Sequence, residues 1–170
     1  MNRNNIILET ERTLIKKFDE NDFNDFCRIN QDKVIMKYFI GGPKTFRECL
    51  LKYQEILSTQ DEKGYSYYAI YDKKERFLGQ CGVLHNYDES INFCYAYDRR
   101  FWGKGYATEA GKAILDYLFK NFETIDEITA FLFEENIRSM NLLKRLGFIE
   151  TKRKETKNGK FIYYSLKKNV

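Results

Sequence analysis

The stretch Arg99-Arg100-Phe101-Trp102-Gly103-Lys104-Gly105-Tyr106-Ala107-Thr108-Glu109-Ala110 limits the fold more than any other part of the chain. Two glycines one residue apart let the backbone turn tightly and expose its amides. A strand-like segment, 90–97, precedes the turn, and a helical pattern over 107–120 follows it. The first turn of a helix leaves N–H groups unpaired and carries a partial positive charge. A strand, a glycine turn and a helix N-terminus in that order make a phosphate site, and suit a pyrophosphate in particular. The Walker pattern Gly-x4-Gly-Lys-Ser/Thr is absent, and the dinucleotide pattern Gly-x-Gly-x-x-Gly fails because Thr108 occupies its third glycine. The plainer alternative is a turn that only packs a helix against a sheet.

Elsewhere the elements are short and alternate in type. Residues 11–18 read as a strand, and Asp19 can cap a short helix carrying Phe23, Phe26, Cys27 and Ile29. Thr45-Phe46-Arg47-Glu48 fits a capping box. The helix it opens carries an apolar stripe of Phe46, Cys49, Leu50, Tyr53 and Leu57, and Gly64 can stop it. Strands at 65–71, 76–84 and 90–97, with polar turns at Asp72–Glu75 and Asn86–Ser90, predict an antiparallel meander. A strand at 127–133 and a helix at 137–146 follow. Strands 148–156 and 160–167 then flank Asn158-Gly159, which suits a type I′ hairpin turn. The expected class is α+β, a mixed α/β domain spanning 1–170.

Composition removes several classes. The chain of 170 residues fits one domain, and its apolar runs fall short of the roughly 18 residues of a membrane span. The N-terminal apolar run is too short for a signal peptide, so a cytoplasmic protein is expected. Cys27, Cys49, Cys81 and Cys94 are scattered and His85 is the lone histidine, which argues against a disulfide framework and a zinc site. A net charge of +4 tolerates an anionic ligand without arguing for nucleic acid. The lysines and Arg153 of the terminal hairpin read as a solvated face. With 14 Phe, 13 Tyr and one Trp, the aromatic payload is large. Phe46, Tyr53 and Phe148 are expected in the core, and Phe93, Tyr95, Tyr97, Phe101, Trp102 and Tyr106 around the glycine loop.

Four segments in order resemble the GCN5-related N-acetyltransferases (GNAT), and their RimJ/RimL-like branch in particular. Arg100-x-x-Gly103-x-Gly105 is similar to that family's Arg/Gln-x-x-Gly-x-Gly/Ala signature. Leu8-Glu9-Thr10-Glu11-Arg12 resembles the branch's opening, and Leu78-Gly79-Gln80-Cys81-Gly82 its middle strand. Asn136-Ile137-Arg138-Ser139, running on to Leu146-Gly147-Phe148, resembles its Asn-x-x-Ser motif. The resemblance implies a central, mostly antiparallel twisted sheet, splayed at the cofactor site between 90–97 and 127–133, with helices on both faces. It implies acetyl-CoA as co-substrate, with pantetheine beside Tyr95, Ala96 and Tyr97. Pyrophosphate would lie on the amides of Arg100, Gly103, Lys104, Gly105, Tyr106 and Ala107, with Thr108 and Asn136 adding contacts.

The implied reaction is direct attack of an amine on the thioester, which needs an oxyanion site and a proton donor for the thiolate. The tyrosine that many members use as the acid is replaced by Leu143, and Ser139 stands at the position of the branch's serine. The usual glutamate base is replaced by Asn92, so His85, Glu134, Glu135, water or an already neutral amine are the alternatives. The acceptor is left open between a protein N-terminus and a small amine such as a polyamine, an amino acid or an aminoglycoside. A cationic acceptor predicts clustered carboxylates, and a ribosomal one a broad groove. A CoA-binding module without turnover is the competing reading, and an RNA-binding module a weaker one. No membrane and no nucleic-acid partner are expected, and a homodimer is compatible with the chain.

Overall fold

The computed structural model describes residues 2–86 and 90–168. Eight strands form one sheet: β1 (Ile6–Glu9), β2 (Thr13–Lys17), β3 (Tyr67–Asp72), β4 (Phe77–His85), β5 (Ile91–Tyr97), β6 (Glu127–Phe133), β7 (Ile149–Thr156) and β8 (Gly159–Lys167). Their order is β1-β2-β3-β4-β5-β6-β8-β7. Every neighbouring pair is antiparallel except β5 and β6, which run parallel and share a single register pair, Asn92 with Thr129. The Thr129 hydroxyl adds a bond to the Ile91 carbonyl at 3.0 Å. Beyond that point the two strands part, which is the expected splay.

The helices are α1 (Phe23–Gln31), α2 (Phe46–Lys63), α3 (Tyr106–Asn121) and α4 (Ile137–Arg145). Side chains alternate across a strand, so the sheet has two apolar faces. One core joins Cys81, Val83, Phe93 and Tyr97 to Ile114 and Leu118 of α3 and Leu143 of α4. The other joins Tyr67, Ala69 and Ala96 to Phe26 and Ile29 of α1 and Tyr53 and Ile56 of α2. The mixed α/β, mostly antiparallel architecture with helices on both faces agrees with the expectation.

Local signals explain most boundaries. Thr45 and Glu48 form the reciprocal capping box, and Gly64 ends α2 in the left-handed region at φ 79°. Asp19 caps a short 3-10 turn, Glu20–Asp22, that leads into α1. The meander closes as expected, although residues 87–89 of the Asn86–Ser90 turn lie outside the described residues.

Several expectations are corrected. β1 was not anticipated, and the strand placed at 11–18 is confined to Thr13–Lys17. The buried face of α2 is Cys49, Tyr53, Ile56 and Gln60, so Phe46 and Leu50 are exposed. The stripe is rotated because Gln60 is drawn inward, its amide bridging the Phe18 N–H at 3.0 Å and the Phe18 carbonyl at 3.3 Å. The hairpin turn is not type I′. Thr156 pairs with Gly159, so Lys157 and Asn158 are its central residues, and neither has positive φ. The Thr156 hydroxyl accepts from the Asn158 amide at 3.1 Å and holds that turn.

Candidate active site

At the glycine loop, Gly103 and Gly105 hold φ of 73° and 84°, conformations that disfavour any residue with a Cβ. Nothing stands within 4 Å of where a Gly103 Cβ would be. The first amides of α3 bonded back along the chain are Thr108 and Glu109, both to the Gly105 carbonyl, at 3.1 and 3.0 Å. Among the described residues, the amides of Gly103 to Ala107 donate to no backbone carbonyl outside the helix. These free donors, an open surface and a helix N-terminus fit a pyrophosphate.

Arg100 plays a different part from the one expected. Its amide donates to Asp98 Oδ1 at 3.0 Å, and its guanidinium holds both Asp98 oxygens, at 3.0 and 2.8 Å. Arg28 of α1 binds the same carboxylate. The hydrogen bonds from Arg100, helped by Arg28, outweigh burial and hold the Asp98 carboxyl well below the usual carboxylate range. Arg100 therefore fixes the start of the loop, and its amide is already committed. The Lys104 ammonium lies over the Phe101 ring at 5.7 Å.

A second anchor was not anticipated. Glu109, in the first turn of α3, accepts from the Thr10 hydroxyl at 2.6 Å and from the Arg12 amide at 2.8 Å. Arg12 Nε and Nη2 both reach Glu109 Oε2 at 2.6 Å, and Arg12 Nη1 donates to the Lys104 carbonyl at 2.9 Å. Its guanidinium also stacks over Tyr106 at 5.0 Å. Burial would raise the Glu109 carboxyl, but the bonds from Thr10 and Arg12 bring it below its ordinary value. The opening Leu-x-Thr-x-Arg segment thus supplies the side chains that hold the glycine loop, a role its position so far upstream does not announce.

Beside the loop, the Tyr95 hydroxyl bonds the Ser139 hydroxyl, across from β5 to the first turn of α4. Asn136 caps that helix, its Oδ1 accepting from the Ser139 amide at 3.2 Å, which fixes Ser139 in place. Burial pushes the Tyr95 phenol well above its ordinary range, although its bond to Ser139 opposes the shift. Tyr95 therefore stays neutral at any physiological pH, and either hydroxyl of the pair can donate. Leu143 is buried in the core.

Asn92 lies on the opposite face of β5 from Tyr95, in line with Cys94 and Ala96. It is 4% exposed. Its amide donates to Cys94 Sγ at 3.0 Å, and its Oδ1 has no partner. His85 pairs with Ile91 and packs its ring 5.6 Å from Tyr65, on the α3 face, so the strand separates it from Asn92. Glu134 accepts from Arg153 at 2.5 Å, beyond the end of β6, and Glu135 is exposed there. The structure joins Ser139 to Tyr95 and Asn136, and joins neither His85 nor the two glutamates to them.

The aromatic group around the loop divides. Phe93, Tyr97 and Phe101 are buried core, whereas Tyr95, Trp102 and Tyr106 are half-buried at its border. The Trp102 indole donates to the Tyr97 carbonyl at 2.7 Å.

The sequence model of the Acetyltransferase (GNAT) domain family matches residues 12–149. The chain belongs to the GNAT family. A GNAT-type N-acetyltransferase uses acetyl-CoA, and the glycine loop beside a splayed strand is what such a donor needs. The chain is 31% identical over 149 residues to the uncharacterized protein YkkB of Bacillus subtilis, covering 82% of this chain and 83% of that one. Its fold is shared with a spermidine N-acetyltransferase from Vibrio cholerae solved with CoA and spermine. That pair has a TM-score of 0.78 and 18% identity, over 94% of this chain and 97% of the other. It is also shared with RimL, a ribosomal L7/L12 alpha-N-protein acetyltransferase solved with CoA. There the TM-score is 0.80 at 15% identity, over 95% and 97% of the two chains.

Proposed function

We propose that residues 1–170 form one cytoplasmic, RimJ/RimL-like N-acetyltransferase domain that moves an acetyl group from acetyl-CoA to a primary amine. The observation that carries this reading is the run of free amides from Gly103 to Ala107 beside the parting of β5 and β6. In this reading the amides hold the pyrophosphate, with Thr108 at the edge. Pantetheine lies along Tyr95, Ala96 and Tyr97, adding to the open side of β5 as an extended peptide would.

The amine nitrogen attacks the thioester carbonyl carbon, the C–S bond breaks, the amine gives up one proton and the thiolate takes one. The Ser139 hydroxyl, oriented by Asn136 and backed by Tyr95, donates toward the sulfur from the α4 face. The acceptor comes from the α1–α2 face, where Asn92 lies. Asn92 is buried and cannot take a proton at neutral pH, so water carries the proton away. Two proteins of the same fold act on different acceptors, one a ribosomal protein and one a polyamine.

A screen of N-terminal peptides, amino acids, polyamines and aminoglycosides, read by CoA release, tests the activity. Release with at least one amine is expected; a protein that binds acetyl-CoA and releases none would be a binding module. Ser139→Ala should lower kcat roughly 100-fold with KM for acetyl-CoA nearly unchanged. Equal turnover would remove Ser139 as the donor.

A further inference from the structure

A small cavity of about 120 Å³ opens on the α1–α2 face of the sheet. Its lining includes Cys94 of β5, Leu84 of β4, Phe26, residues of the Met36–Ile40 turn, and Lys44 and Lys52. Cys94 is the residue that Asn92 contacts, so the cavity abuts the point where β5 leaves β6. No carboxylate lines it. The nearby acids are spoken for: Glu48 is taken by the Thr45 capping box, and Glu55, 57% exposed, pairs with Lys52 at 2.8 Å. An exposed pair of that kind is weak and yields readily to a better partner. Lys44 has no ion-pair partner among the described residues.

We infer that, if the chain is the amine acetyltransferase proposed above, its acceptor is an α-amine beside a short apolar side chain with a negative charge next to it. The cavity has room for one short apolar side chain. Its volume is far below the ~300–1,000 Å³ of a drug-sized site, so it does not enclose an aminoglycoside. Two lysines in the lining repel a polyamine and attract a carboxylate. Asn92 does not line the cavity; it is buried beside it, its amide donating to Cys94 Sγ. The anion has two sources: the carboxylate of a free amino acid, or an acidic residue following a peptide's N-terminal one.

The test measures CoA release by the full chain with leucine, leucinamide, amidated Leu-Asp, amidated Leu-Lys and spermidine. Leucine should exceed leucinamide in kcat/KM by about 10-fold or more, or Leu-Asp should exceed Leu-Lys by as much. The first result assigns the anion to a free amino acid, the second to a peptide. The double variant Lys44→Glu with Lys52→Glu should erase the discrimination while calorimetric acetyl-CoA affinity stays unchanged. Lys44→Ala with Lys52→Ala serves if the reversal disturbs folding. Spermidine or leucinamide turned over as well as leucine and Leu-Asp, or discrimination surviving both lysine variants, overturns the inference and leaves the acetyltransferase reading standing. Acetyl-CoA that does not bind, or binds without turnover of any amine, overturns both.

Discussion

Two carboxylates fix the glycine loop, one at each end. Asp98 gathers Arg100 and Arg28, and Glu109 gathers Thr10 and Arg12. With the arginines part-exposed, solvent screens these pairs, and their role is to hold a backbone that bears the donors itself. Glu109→Gln should therefore weaken acetyl-CoA binding by roughly 10-fold, measured calorimetrically, with a smaller effect on melting temperature. A carboxyl whose folded pKa is depressed contributes stability that is present above its unfolded value, about 3.9, and is lost as pH falls through the folded one. Asp98 is such a group. Wild-type stability should thus decline as pH drops below about 4, and Asp98→Asn should be less stable at neutral pH and flatter in acid, as read by denaturant titration across pH.

Among the elements, the middle strand shows what its glycines are for. A Cβ on Gly82 would stand 2.3 Å from the Ser66 carbonyl oxygen, and one on Gly79 would stand 2.3 Å from that of Ala96. Both are backbone atoms, Ala96 in β5 and Ser66 at the entrance to β3 where it accepts from the Val83 amide, so neither neighbour can step aside. Gly82→Ala should destabilise the protein by about 2–4 kcal/mol in urea denaturation, through overpacking of a well-packed region. Much of this architecture was legible in the sequence. The α2 capping box, the Gly64 stop and strand 127–133 follow from local spacing and turn chemistry, and the structure has them. What stayed hidden is what depends on distant partners. Gln60 turns inward because Phe18 offers backbone groups to it, and no period in α2 carries that information. β1 exists because β2 pairs with it. At the site, Gly103 and Gly105 announce themselves by residue type, whereas the Arg12–Glu109 pair joins positions 97 apart and the Tyr95–Ser139 pair positions 44 apart.

For the molecule as a whole, the sheet is eight strands wide but is not one fabric. Five strands lie on one side of the β5–β6 boundary and three on the other, and a single register pair joins them. A ligand that binds only the folded chain stabilises it by RT ln(1 + [L]/Kd), about 2.7 kcal/mol at 100 times Kd. Acetyl-CoA at that excess should raise the melting temperature by several degrees and slow amide exchange most along β5 and β6. Uniform slowing across the sheet would contradict a ligand seated at the boundary. One apolar core also spans the join, from Phe93 and Tyr97 on one side to Ile128 and Ile162 on the other. In the proposed reading the donor substrate sits at this boundary and is used up and replaced at every cycle, so the hold it adds across the join comes and goes with turnover.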